Sequence, residues 1–375
     1  MKISVITLHR VRNYGSSLQT LATQSLLESY GADVEIIDYY PERYTSTGLL
    51  KRLKNKSPKF RNIILLTIAR FIMCFSYAKK KLVFDSFLKK YIKLSEKTYR
   101  TAGEIKNYPM KSDAYCTGSD QVWNSHWNEG IDKPFYLHFV PSSEYKFSFA
   151  SSIGADNMSK NEAGKVRKML AEYRHISVRE SHGVELLKNM GIESTHNLDP
   201  TLCFDMNFWN KYASDIFSGK KYILTYNLHH DKRIDQLAEK VAEELGCKVY
   251  NISYNIHDII RKGNLKWCPS VENYLGLIKN ARCVITDSFH ATAFSLIFHT
   301  NFFVIYPEEA SSRLRSILKL TQLEKRGSDS FPDIKAVLKK INFSDVDIIL
   351  DEQRNESKKY IEKIMTELKE SHKIK

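Results

Sequence analysis

The residues richest in chemistry lie in Thr286-Asp287-Ser288-Phe289-His290-Ala291, where a β-branched run from Val284 to Thr286 passes without a break into the apolar stretch Ala291 to Phe294. Such a passage reads as a strand delivering a helix, and the carboxyl ends of strands are where open α/β sheets bind ligands. Amides at a helix start favour anions, and a histidine on the first turn can exchange protons with whatever binds there. His290 and Asp287 are therefore the catalytic candidates, with Ser288 beside them at the anion. The chemistry they suit is proton transfer on an anionic substrate. The same spacing also serves a plainer end, in which Asp287 or Ser288 caps the helix and His290 is structural.

Further candidates sit at other strand ends. Arg179 closes the apolar run Ile176 to Val178 and can fork onto a carboxylate or phosphate, or else pair with Glu180. Arg313 and Arg315 fall at a helix start, where they oppose the macrodipole unless an anion is near, so they join Arg179 and Ser288 as donor-binding candidates. The loop His9 to Ser17 holds Asn13, Tyr14 and Gly15, and the loop after Cys116 holds Ser119, Asp120, Gln121, Trp123 and Asn124. Small, polar and aromatic groups packed this closely suit a carbohydrate or phosphate subsite. No His, Cys, Asp and Glu cluster has metal-ligand spacing, and the first loop lacks the G-x-G-x-x-G fingerprint, so neither a metal nor a dinucleotide cofactor is indicated.

These loops need a scaffold of alternating strands and helices. Lys2 to Leu8, Val34 to Tyr39, Asp113 to Cys116, Tyr145 to Ala150 and Ile176 to Glu180 read as strands of a first half, and Leu18 to Leu26 as its first helix. After Asp199-Pro200-Thr201 a second series begins, with strands at Lys221 to Leu228, Cys247 to Ser253, Arg282 to Thr286 and Asn301 to Tyr306. Helices are expected at Arg233 to Leu245, Ser270 to Ala281, Ser311 to Leu320 and Arg354 to Glu370, the last carrying Ile361, Ile364, Met365 and Leu368 on one stripe. At 375 residues the chain exceeds the usual size of one core. The reading is α/β, with two Rossmann-type doubly wound domains facing a central cleft: residues 1–205 with a basic helical insertion at about 44–106, residues 206–330, and a helical segment at 331–375.

Charge is unevenly spread. Of a formal net +14, the segment Tyr44 to Lys106 supplies 16 Lys and Arg against 3 Asp and Glu. The rest of the chain is close to neutral, unlike a basic groove spread over a fold, and no recognisable nucleic-acid module accompanies the segment, so no nucleic-acid partner is expected. Its apolar core, Ile63 to Phe75, is broken by Arg70 and shorter than the about 20 residues a spanning helix needs. Apolar surface among lysines suits contact between residues 51–81 and an anionic membrane surface, or a buried helix with solvated flanks. Six cysteines without a C-x-x-C pair and no secretory leader at the start point to a cytoplasmic protein, peripheral at most to the membrane.

Taken together, Asn13-Tyr14-Gly15-Ser16-Ser17-Leu18-Gln19, Gly118-Ser119-Asp120-Gln121-Val122-Trp123-Asn124, Ser177-Val178-Arg179-Glu180, Asp199-Pro200-Thr201 and the 286–291 stretch resemble the polysaccharide pyruvyl transferase family from about Lys2 to Arg326. The resemblance implies a GT-B-like fold and transfer of pyruvate from phosphoenolpyruvate, as co-substrate, to a sugar as a cyclic ketal. It implies that Arg179 meets phosphoenolpyruvate and that His290 is the acid catalyst. Some characterised members carry an arginine two residues before that histidine; here Ser288 stands there, and Arg313 or Arg315 is expected to replace it. The expected acceptor is a glycan or lipid-linked oligosaccharide. Alternative readings are a GT-B glycosyltransferase using a nucleotide sugar and a non-catalytic carbohydrate-binding homologue.

Overall fold

The computed structural model describes residues 1–48, 51, 63–155, 157–308 and 311–374, and gives no side-chain surroundings for 63–73 and 372–374. The chain forms two compact units, one of Met1–Thr45, Leu88–Cys203 and Asp351–Lys375, the other of Ser46–Phe87 and Phe204–Leu350. The elements run β1 (Lys2–Ile6), α1 (Tyr14–Ser29), β2 (Asp33–Ile36), α2 (Ile63–Tyr91), β3 (Ala114–Thr117), β4 (Lys146–Ser148), α3 (Lys160–Leu170), β5 (Ser177–Val178), α4 (Ser181–Asn189) and β6 (Thr195–His196). Then come β7 (Tyr222–Tyr226), α5 (Lys232–Glu244), β8 (Lys248–Ser253), β9 (Asn264–Trp267), α6 (Val271–Lys279), β10 (Cys283–Thr286), α7 (Phe289–Ile297), β11 (Phe302–Ile305), α8 (Ser312–Leu320), β12 (Gly327–Ser328) and α9 (Phe343–Ile374).

In the first unit β1 lies between β2 and β3, all parallel, with Ile3 opposite both Val34 and Ala114. The sheet order is β2-β1-β3-β4, and the bridges Phe147↔His175 and Ser151↔Val178 lead on to the β5-β6 pair. The order reverses at β1, so the loops after β1 and β3 splay apart there and leave a crevice. The helix α1 is buried nearly all round, which explains its weak amphipathicity in sequence.

The second unit is a six-stranded parallel sheet, β12-β11-β10-β7-β8-β9, with its reversal between β7 and β10. Alternate residues Ile223, Cys283, Ile285, Phe303 and Ile305 form one buried face, against Ile234, Leu237 and Val241 of α5. The opposite face carries Tyr222, whose hydroxyl donates to Leu277 O of α6 at 2.8 Å, and Tyr226, which meets Tyr274 edge-on at 5.5 Å. Helices on both faces make this a doubly wound sheet.

The expected separate segment at 331–375 is divided between the units: α9 runs unbroken from Phe343, and from Asp351 onward it belongs to the first. Ile361, Ile364, Met365 and Leu368 are buried there, and Tyr360 Oη donates to Ser148 O at 2.8 Å. Burial of such side chains stabilises by roughly 1.5–3 kcal/mol each, enough to fix the helix to its sheet. Short edge strands β6, β9 and β12 were not expected from sequence, since two to four residues at a sheet edge carry little periodicity. Residues 52–62 of the basic stretch lie outside the described residues, while the helix expected across its apolar core is the first part of α2.

Candidate functional sites at the strand ends of each unit

In the first unit the loops after five parallel strands converge on one polar network. Asn13 caps α1, its side chain accepting from Ser16 N at 2.6 Å, so its oxygen is engaged by the helix it starts. Tyr14 and Gly15 follow, both buried. Ser16 Oγ donates to the Asp120 carboxylate across the β1–β3 reversal. Asp120 sits at φ 73°, a left-handed conformation uncommon outside glycine, and this geometry lets its carbonyl accept from both Val122 N and Ser152 N. Ser119 Oγ donates to Asp199 at 3.3 Å, and Asp199 also accepts from Thr201 N and Oγ1 at 3.0 and 2.6 Å.

Arg179 is the cation of this network. Its Nη1 donates to Asp199 Oδ2 at 2.7 Å and its Nε to Glu180 Oε1 at 3.1 Å, with the side chain 2 % exposed. The neighbouring carboxylates of Glu180, Asp199 and Asp120 hold the guanidinium charged, against the opposing effect of burial. Three carboxylates around one guanidinium make a poor seat for a multiply charged anion. They suit sugar hydroxyls, which need acceptors. Arg179 is thus ion-paired with Glu180, a pairing its neighbour suggested in sequence, and with Asp199.

The rest of the second loop divides in two. Gln121 and Asn124 bond each other, Asn124 Nδ2 to Gln121 Oε1 at 2.6 Å, and close over Gly154, where an added Cβ would meet both amides at 2.6 Å. Trp123 is 1 % exposed, donates Nε1 to Phe135 O at 3.0 Å and stacks on Tyr136 at 5.7 Å. Trp123 and Tyr14, both expected to touch an acceptor, thus pack in the core beneath the loops.

In the second unit Asp287 follows β10 and Asn227 to His230 follow β7, at the reversal of that sheet. Asp287 accepts from Leu228 N at 2.8 Å, His229 N at 2.9 Å and His229 Nδ1 at 2.7 Å. Asp287 was expected to cap α7 or to orient His290; it holds His229 instead. The cap is Ser288, whose Oγ accepts from Ala291 N at 3.4 Å. The loop itself is fixed by Asn227, which donates Nδ2 to Asp231 O and accepts from Asp231 N, both at 2.9 Å.

The two histidines differ in access. His290 is in the first turn of α7, 9 % exposed, with its Nε2 closed off from solvent. His229 is 54 % exposed. Its pKa is raised above the usual 6.5, first by the hydrogen bond to Asp287 and also by the charges of Asp287 and Asp231, against burial and the charge of Arg313. Arg313, in the first turn of α8, is the source of that opposing charge. Arg315 is committed elsewhere: Nη2 donates to Asp329 at 2.5 Å, the guanidinium lies 3.9 Å from the Tyr306 ring centroid, and both residues line a cavity of about 430 Å³ with Lys319 and Ser328. The anion expected beside this arginine is the protein's own carboxylate.

A family model described as polysaccharide pyruvyl transferase matches residues 13–309. The chain belongs to the polysaccharide pyruvyl transferase family. All five sequence stretches that carried the resemblance fall within the match, four in the first unit and the 286–291 stretch in the second. No curated protein sequence matches this pyruvyl transferase family member significantly. Among solved structures it is similar to UDP-N-acetylglucosamine 2-epimerase from Rickettsia bellii (TM-score 0.57, 11 % identity, 98 % of this chain and 97 % of that one). It is also similar to UDP-GlcNAc 2-epimerase from Neisseria meningitidis (0.54, 9 %, 98 % and 99 %) and from Methanocaldococcus jannaschii (0.53, 12 %, 98 % and 99 %). At such identities the likeness is one of fold, the GT-B class of two Rossmann-type domains that the sequence pattern predicts.

Among the described residues no group of three or more His, Cys, Asp and Glu side chains is arranged to hold a metal, and no helix is long and apolar enough to cross a membrane. All six cysteines are free thiols. The residue that sequence reading passed over is His229. Its signal was available, a His229-His230 pair immediately after a strand of the second sheet, but extending that strand to Leu228 drew attention away from the loop.

Proposed function

We propose that the protein transfers pyruvate from phosphoenolpyruvate to two hydroxyls of a glycan or its lipid-linked precursor, forming a cyclic ketal and releasing phosphate. The observation that carries the reading is the anion-receptive reversal of the second sheet, in a chain of this family: a helix start at α7, a half-exposed histidine and a guanidinium, Arg313, whose charge reaches that histidine. Phosphoenolpyruvate carries a carboxylate and a phosphate on neighbouring atoms, which call for such a combination. Arg313 takes the carboxylate, in the role that Ser288 cannot fill. His290 and the start of α7, whose dipole favours an anion, take the phosphate. The co-substrate supplies all the reactive carbon, so no further cofactor enters.

The polar network of the first unit presents hydroxyl-binding groups, with Asp120, Gln121 and Asn124 nearest in kind to a sugar subsite and Arg179 holding the carboxylates in place. A lipid-linked acceptor is supported by the second unit. There Ile256 N donates to Ser76 Oγ of α2 at 3.2 Å, which brings the exposed side chains of Ile259 and Ile260 to the helix carrying exposed Phe75 and Leu82 and the Lys79 to Lys81 run. Apolar tips among lysines suit anionic lipid at the inner membrane face. The test is calorimetric titration with phosphoenolpyruvate and with uridine diphosphate. Phosphoenolpyruvate binding that Arg313→Ala weakens at least about tenfold supports the reading. Binding of uridine diphosphate without phosphoenolpyruvate sinks it.

A further inference from the structure

The carboxyl edge of the second sheet holds a histidine whose two ring nitrogens have distinct surroundings. A carboxylate only accepts, so the 2.7 Å contact with Asp287 fixes the proton on His229 Nδ1 and leaves Nε2 as the working nitrogen. No described residue hydrogen-bonds that Nε2, and the ring is half open to solvent. Asp287 is itself 1 % exposed and anchored by two backbone amides, Leu228 N and His229 N, so the carboxylate cannot swing away from the ring. The backbone on either side is fixed as well, by Asn227 and Asp231. This is the orienting carboxylate and imidazole of general acid catalysis, built across 58 residues of sequence from two strand ends. His290, by contrast, has its Nε2 shut away from solvent.

We propose that His229, oriented by Asp287, is the proton donor of the reaction, and that His290 serves phosphate binding. The inference rests on the pyruvyl transfer reading above. The His229 Nε2–H bond breaks as the π electrons of phosphoenolpyruvate form a new C–H bond at C3, and C2 becomes electrophilic. The first sugar hydroxyl adds at C2 and its proton returns to Nε2, which restores the imidazolium. The C2–O bond to phosphate then breaks with its electron pair on phosphate, and the second hydroxyl forms the second C–O bond, its proton leaving on phosphate. One phosphoenolpyruvate and one diol give one ketal and one phosphate. Asp287 is a positioning residue. It holds the tautomer and favours the charged ring, in keeping with the raised pKa of His229.

The experiment follows phosphate release, and deuterium entry at C3 of phosphoenolpyruvate in D2O by NMR, with a panel of methyl hexosides as probe acceptors. His229→Gln is expected to lose at least about 100-fold in kcat with its KM for phosphoenolpyruvate within about threefold, whereas His290→Gln raises that KM. Asp287→Asn is expected to keep measurable activity with the alkaline limb of its pH profile moved to lower pH, because an amide no longer favours the imidazolium. A merely structural Asp287 would lower activity evenly across pH. Retention of kcat within about threefold in a folded His229→Gln protein overturns the assignment while leaving pyruvyl transfer intact. A wild-type protein that neither exchanges nor releases phosphate with any probe overturns the reaction itself, and the assignment with it.

Discussion

Replacing Arg179 by alanine should cost stability before it costs binding. The side chain is 2 % exposed and spans two carboxylates, Asp199 at 2.7 Å and Glu180 at 3.1 Å. Breaking one partner from a buried ion pair costs about 3–5 kcal/mol, because a charge is left without compensation. Here the survivors keep other donors: Thr201 N, Thr201 Oγ1 and Ser119 Oγ on Asp199, and Ser152 Oγ on Glu180 at 2.7 Å. The lower end, about 3 kcal/mol, is therefore expected. In a domain of 150–250 residues that corresponds to a fall in Tm of about 6–12 °C by scanning fluorimetry. The deficit should also depend on pH with a definite sign. Protonation removes the charge that the missing guanidinium leaves uncompensated, so the deficit is expected to shrink as pH falls toward the ordinary carboxylate range of about 4. The penalty is then absent where both states are protonated, grows as pH rises past about 4 and is complete once the folded groups ionise. A variant within about 1 kcal/mol of wild type at pH 7 would refute the ion-pair reasoning. So would a deficit of equal size at pH 4.5 and pH 7.

Trp123→Ala should destabilise the first unit by about 3–5 kcal/mol, read by urea unfolding, since it empties a core position and leaves Phe135 O with Thr117 Oγ1 as its remaining donor; an effect confined to acceptor KM would return Trp123 to the acceptor subsite. The His229 imidazolium, with its pKa above 6.5, contributes stability that is fully present below 6.5 and lost as pH rises through the folded value. The wild type should therefore lose thermal stability from about pH 6.5 toward 8 relative to His229→Gln, and parallel profiles would contradict the Asp287 pairing. Ile259→Ser together with Ile260→Ser, at residues 69 % and 88 % exposed, should weaken binding to anionic vesicles by about 100-fold or more in a sedimentation assay, from roughly 1.5–3 kcal/mol per apolar side chain removed from lipid, and unchanged sedimentation counts against this membrane face.

What the sequence made legible was local. Strand and helix order followed from periodicity, and the stripe of Ile361, Ile364, Met365 and Leu368 named the buried face of α9 before its sheet was known. Buried helices defeat that logic: α1 buries Ser16, Ser17, Gln19, Thr20 and Thr23 along with its leucines, so polarity does not mark an exposed side, and Tyr14 in it looked available because polar residues surround it in the chain. Trp123 misled in the same way, standing among loop residues while its ring stacks on Tyr136 in the core.

The candidate sites show the same boundary more sharply. Residue types and strand ends were enough to gather Ser119, Asp120, Arg179 and Asp287 as candidates, because parallel sheets put every strand's carboxyl end on one edge. Partner choice was not readable, since each decisive bond joins residues far apart in sequence: Ser16 to Asp120, Arg179 to Asp199, His229 to Asp287. Asp287 makes the difference concrete. Three residues from His290, it looked like that histidine's orienting group, yet its carboxylate turns to the loop after the neighbouring strand β7. The reversal between β7 and β10 makes the loop after β7 that neighbour. Asp287 meets Leu228 N, His229 N and His229 Nδ1 there, so the adjacency of β7 and β10, more than proximity in the chain, selects the histidine.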